Sequence, residues 1–141
     1  MQHNSVKIQC VDFWPAEEIV DLYKAGGWWK DSYTPAGVSA LISGSFACAV
    51  AVDSMTGKAV GMGRVLSDGV SDAYLQDLVV LPAYRRQEIG KKIVRVLLEH
   101  CFSKGITWIG VIAEPGTDQF YQDLGFQPMH KYVPLLYTKE R

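Results

Sequence analysis

The sequence predicts an α/β fold in which a run of hairpin-like strands precedes one strand–helix–strand crossover. Three observations carry that reading. Strand-sized apolar runs occupy residues 46–52, 58–66 and 70–81, separated by turn residues at 53–57 and 67–69. A helical apolar pattern follows Gly90, with Ile93, Val94, Val96, Leu97, Leu98 and Cys101. A strongly apolar strand at 106–112 comes next. Strand, helix and strand at this spacing imply a right-handed parallel crossover. The hairpin-like strands ahead of it argue against a doubly wound sheet.

The elements run in order along the chain. Residues 6–11 alternate apolar and polar, as a strand does. Residues 12–15 break it, and Pro15 suits the first position of a helix. Glu17 and Glu18 fall in the first turn, where the helix dipole favours carboxylates. Ile19, Leu22 and Tyr23 recur at helical spacing until Gly26 and Gly27 end the helix. Residues 28–33, Trp-Trp-Lys-Asp-Ser-Tyr, form an aromatic-rich connection. Thr34 and Pro35 read as an N-cap and its proline, opening a helix to Leu41 or Ile42. The helix after Gly90 closes at Lys104 and Gly105. Residues 115–124 read as a helix ended by Gly125, and 126–129 with 131–138 as a final strand hairpin. The order is β-α-α-β-β-β-α-β-α-β-β, in a single domain spanning residues 1–141 with no internal repeat or linker.

Composition narrows the function classes. The 141 residues are 48% hydrophobic and 21% charged, with a net charge of −1. Only Arg85, Arg86, Lys91 and Lys92 cluster positive charge, which suits a small phosphate ligand and not nucleic acid. Cys10, Cys48 and Cys101 are far apart among apolar residues, so no zinc site or redox dithiol is expected, and buried thiols are. His3, His100 and His130 have no metal spacing, so no metal is expected. No signal-like start and no apolar run of about 18 residues is seen, which points to a cytoplasmic, non-membrane protein.

Residues 73–101 run strand, Pro82, Arg85-Arg86 turn, Gly90, helix. That order presents first-turn backbone N–H groups to an anion. The lead-in Val79-Val80-Leu81-Pro82-Ala83-Tyr84-Arg85, the motif Arg85-Arg86-Gln87-Glu88-Ile89-Gly90, and the distant Phe120-Tyr121-Gln122-Asp123-Leu124-Gly125-Phe126 belong together. They resemble the GNAT superfamily of acetyl-CoA-dependent N-acetyltransferases, and the likeness covers nearly the whole chain. Two positions depart from the family pattern. Glu88 stands where the family has its first Gly, and Glu114 where many members have Asn. The resemblance implies a GNAT-type mixed, mostly antiparallel sheet of about seven strands, splayed between its parallel fourth and fifth strands, with about four helices.

The resemblance also implies roles. Leu78, Val79, Val80, Arg85, Arg86, Gln87, Glu88, Ile89, Gly90, Lys91, Phe120 and Tyr121 would bind acetyl-CoA, with amides of 86–91 cupping its pyrophosphate. Leu78 and Val80 would pair with the pantetheine arm where a bulge near Asp77 and Leu78 opens the sheet. Tyr121 would be the general acid for the leaving thiolate; its alternative is packing between Phe120 and Phe126. The N–H of Val80 or a neighbour would stabilise the oxyanion. Asp77 is the candidate base, with Glu114 a second, and alternation puts Gln76 on the face opposite Asp77. Trp28, Trp29, Tyr33 and Tyr74 would line the acceptor pocket, by stacking or cation–π contact. Cys48 and Cys101 lie in apolar interiors, so direct attack by the amine is preferred to a cysteine route. The expected enzyme acetylates a small primary amine. A CoA-sensing module with little turnover and a protein Lys or N-terminal acetyltransferase stay open, and dimers common in the family raise a homodimer.

Overall fold

The computed structural model describes residues 5–139, so His3 lies outside the described residues. The chain forms two compact units, residues 1–111 and 112–141. The first holds β1 (Val6–Cys10), α1 (Ala16–Ala25), α2 (Gly37–Ser43), β2 (Ala47–Asp53), β3 (Lys58–Ser67), β4 (Ala73–Val80), α3 (Ile89–Ser103) and β5 (Ile109–Val111). The second holds α4 (Asp118–Gln122).

The sheet runs β1-β2-β3-β4-β5. The first four strands pair antiparallel in succession, and β4 with β5 is parallel, as the crossover requires. Helix α1 buries Ile19, Val20, Leu22 and Tyr23 and keeps Glu17 and Glu18 in its first turn. These side chains join Val38 and Ile42 of α2 and Cys48, Val50, Met62 and Val79 of the strands in one core cluster. Alternation turns Gly61 and Gly63 of β3 the other way, toward α3. A Cβ on Gly63 would lie 3.0 Å from Ile93 Cγ2 and 3.2 Å from Leu97 Cδ1. The absent side chains let α3 lie close on the strand, with Ile93, Val94 and Leu97 fully buried.

One irregularity positions the candidate site. Met62 pairs with Val79, but Arg64 pairs with Gln76. Two steps on β3 therefore match three on β4, so β4 carries an extra residue at Asp77 and Leu78. Asp77 takes the left-handed backbone region, at φ 58°. Ladder pairing with β5 runs only from Ala73 to Leu75, stopping just before this bulge. The expected bulge is present, and the parallel pairing of the fourth and fifth strands ends before it.

Several expectations need correction. The sheet has five strands among the described residues, not seven. Residues 126–129 and 131–138 form no ladder, although their apolar alternation reads as strand. Pro128 and Pro134 each lack a donor, Lys131 turns to φ 69°, and the Tyr132 N–H closes a turn onto Met129 O. Tyr132, Val133, Leu135, Leu136 and Tyr137 are all exposed. Helix α2 starts at Gly37, because Thr34 and Pro35 enter turns bonded to Gly37 N and Val38 N and do not cap it. Cys48 and Cys101 are buried as expected, but Cys10 is exposed, at the end of edge strand β1. No described helix is long and apolar enough to cross a membrane.

Candidate active site

The bulge opens onto a cavity of about 430 Å³ within the first unit. Its walls are Tyr23, Trp28, Trp29, Tyr33, Thr34, Gly37, Val38, Leu41, Arg64 and Asp77. Four aromatic rings therefore surround one ion pair. The connection after α1 folds into this wall by edge-to-face contacts. The Tyr23 and Trp28 centroids are 5.8 Å apart, and those of Trp29 and Tyr33 are 5.5 Å apart. Lys30 Nζ lies 5.8 Å from the Tyr33 ring centroid.

The polar part is a small network centred on Asp77 Oδ2. Arg64 Nε donates to it at 2.6 Å, and the Tyr23 hydroxyl donates to it at 2.7 Å. Arg64 Nη1 also donates to Ser45 Oγ at 3.3 Å, and Ser45 Oγ donates to Leu41 O at 2.8 Å. Burial pushes the Tyr23 phenol well above its ordinary value, and the bond to Asp77 adds to this. Tyr23 is thus a neutral donor at any working pH. Burial works against the Arg64 charge, but the Asp77 bond and charge outweigh it and hold the guanidinium above its ordinary value.

Of the residues expected in the acceptor pocket, Trp28, Trp29 and Tyr33 come together with Asp77 in this wall. Tyr74 is not among the wall residues; its ring stands edge-on to Trp108 at 5.5 Å. Gln76 and Asp77 do not alternate as a regular strand would have them. Gln76 sits opposite Arg64 in the ladder, and Asp77 bonds Arg64, so the bulge turns consecutive residues to one side. Sequence reasoning does not single out Tyr23 or Arg64. Each reads locally as an ordinary helix or strand residue, and only the fold brings them to Asp77, from 54 and 13 residues away.

The basic turn begins with one turn of 3₁₀ helix, Pro82–Tyr84. Arg85 Nε then donates back to Val80 O at 2.8 Å. Arg86 and Glu88 both take positive φ, at 64° and 67°, on either side of Gln87. Ile89 is buried, so only its backbone faces the turn, and Lys92 N makes a helical bond to Glu88 O. Glu88 is exposed, so its carboxylate points to solvent. Its left-handed backbone nevertheless costs about 1–2 kcal/mol in a non-glycine residue. Glu88→Gly should therefore raise stability by about 1 kcal/mol and Tm by a few degrees. Thermal melts check this, and an unchanged or lower Tm would show the conformation to be unstrained.

In the second unit, Tyr121 of α4 packs edge-on between Phe120, at 5.0 Å, and Phe126, at 5.6 Å. Burial raises its phenol above the ordinary value, and the Glu114 charge adds to this. Among the described residues no group of three metal-ligating side chains gathers.

Residues 13–126 match the model of the acetyltransferase (GNAT) family. The chain belongs to the GNAT family. Among its relatives is "GCN5-related N-acetyltransferase 2, chloroplastic" of Arabidopsis thaliana, 31% identical over 123 residues, 81% of this chain and 45% of that one. Another is "Serotonin N-acetyltransferase 2, chloroplastic" of Oryza sativa subsp. japonica, 34% identical over 73 residues, 52% of this chain and 36% of that one. The chain spans under half the length of these two curated relatives. A solved GNAT-family protein from Streptococcus pneumoniae superposes with a TM-score of 0.78 at 25% identity, covering 96% of this chain and 99% of that one. An aminoglycoside acetyltransferase from an uncultured soil metagenomic sample gives 0.75 at 26% identity, covering 96% and 97%. The GNAT family generally uses acetyl-CoA. The turn fits such a ligand: Arg85 and Arg86 carry charge, and the N-terminal end of α3 favours an anion.

Proposed function

We propose that the chain transfers the acetyl group of acetyl-CoA to the primary amine of a small acceptor with a flat, apolar body. The observation that carries this is the aromatic cavity with Asp77 in its wall, at the bulge of β4 that follows its pairing with β5. Four rings favour stacking on a planar ligand. Arg64 neutralises the one carboxylate in the wall, which suits a single amine better than a polycation. The name of the rice relative, a serotonin N-acetyltransferase, supports the same class of acceptor.

Acetyl-CoA supplies the acyl thioester. The turn of residues 85–91 would hold its phosphates, Leu78, Val79 and Val80 its arm, and, by the family resemblance, Phe120 and Tyr121 would lie against it. Direct attack forms a C–N bond and breaks the C–S bond. The amine proton passes to Asp77, directly or through water. The bonds from Arg64 and Tyr23 both fall on Oδ2, and a carboxylate keeps acceptor capacity on its other oxygen. The Val80 N–H would stabilise the developing oxyanion, and Tyr121 would protonate the departing sulfur.

Calorimetry with acetyl-CoA, and thiol release over a panel of arylalkylamines, polyamines, aminoglycosides and lysine peptides, test this. Arylalkylamines should give the highest kcat/KM. Trp29→Ala should lower it about tenfold without changing acetyl-CoA affinity. Preferred turnover of lysine peptides would move the acceptor to protein. Tight acetyl-CoA binding with no turnover on any amine would leave a sensor.

A further inference from the structure

Asp53 is the one buried charged side chain among the described residues, and the acetyl-transfer chemistry does not use it. It ends β2, at the turn into β3. Its carbonyl accepts from Gly57 N at 2.7 Å and closes that turn. Its carboxylate reaches elsewhere. Oδ1 accepts from Met55 N at 2.9 Å, and Oδ2 accepts from the Tyr84 hydroxyl at 2.7 Å. Tyr84 lies 31 residues away, at the end of the 3₁₀ turn, immediately before Arg85. The bond holds Asp53 as an anion below the usual carboxylate range and keeps the proton on Tyr84.

The bond matters because Tyr84 leads directly into the basic turn. Arg85 is tied back to Val80 O, so two adjacent residues fix the start of that turn. Buried Ile89 fixes its end. Only Arg86, Gln87 and Glu88 lie between, and two of them hold positive φ without being glycine. A three-residue span in that backbone state keeps its shape only if both ends are held. We propose that Asp53 and Tyr84 are positioning residues that brace this turn in its anion-binding shape, so that affinity for the CoA phosphates depends on a bond outside the ligand's reach. The proposal rests on the acetyl-CoA reading of the turn.

The test uses the full chain, with calorimetry on acetyl-CoA and steady-state thiol release. Tyr84→Phe should raise Kd and KM for acetyl-CoA about tenfold while saturated kcat stays within about twofold, the scale of one hydrogen bond to a charged partner. Asp53→Asn should act in the same direction. The double variant should lose little beyond the larger single loss, because both remove one interaction. Asp53→Asn keeps the side chain's shape and serves if Tyr84→Phe melts too low to assay. Wild-type affinity in either folded variant would overturn the brace. So would a fall in kcat with KM unchanged. Wild-type protein that gives no binding heat with acetyl-CoA would overturn the acetyl-CoA reading instead, and the brace with it.

Discussion

Arg64→Met is expected to lower stability by about 2–3 kcal/mol and kcat/KM about 100-fold. Arg64 and Asp77 side chains are 14% and 25% exposed, so water screens the pair only in part. Removing the guanidinium leaves a half-buried carboxylate facing four rings, with only the Tyr23 hydroxyl as counterpart. That unpaired charge accounts for most of the loss. Loss of position accounts for the rest, since Asp77 sits on a left-handed residue whose side chain Arg64 and Tyr23 orient. Asp77→Asn tolerates the same φ and can still accept from Tyr23. In the Arg64→Met background it should restore part of the stability but none of the activity. Urea melts and initial rates on all four proteins check this. Additive stability losses, or a single loss under about 0.5 kcal/mol, would mean the pair is screened as a surface pair is.

Tyr121→Phe is expected to lower kcat about 100-fold with little change in KM for acetyl-CoA. The pH profile carries the sign. Burial and the Glu114 charge raise the phenol above its ordinary value, so the proton-donating form persists to higher pH. Wild-type kcat should therefore hold through the range in which an ordinary phenol ionises and fall only beyond it. The Phe variant should show no such alkaline limb, and its rate should depend on the thiolate leaving unprotonated. Equal kcat in both proteins at every pH would reduce Tyr121 to its packing against Phe120 and Phe126.

Elements with local cues are legible in the sequence. The hairpin of β2 and β3 follows from Asp53 to Gly57, and the crossover from the Gly90 helix between two apolar runs. The bulge at Asp77 and Leu78 and the place of the Trp-Trp connection in a cavity wall are legible too, the bulge through the family resemblance. The illegible parts depend on partners distant in sequence. Tyr23 reads as one more apolar residue of an amphipathic helix, and nothing local announces a carboxylate 54 residues on. Asp53 reads as a turn aspartate, and its bond to Tyr84 appears only when the strands are assembled. The last two expected strands fail for a related reason. Alternation describes a segment able to pair, but a strand exists only where a neighbour supplies the ladder.

The bulge on β4 has one more effect. Leu75 pairs with Val65, while Val79 pairs with Met62, the neighbour of the α3-facing Gly61 and Gly63. Four positions apart, Leu75 and Val79 would share a face in a regular strand, yet their partners three apart do not. A single inserted residue thus switches which face the same set of β4 positions supplies. Removing Asp77 would leave Gln76 opposite Arg64 and Val79 opposite Met62, so the pairing on either side of the bulge would keep its register, while Arg64 and the Tyr23 hydroxyl would lose the carboxylate they share. For this protein a one-codon deletion, unlike a substitution, would straighten β4 while leaving the flanking pairs with β3 in register.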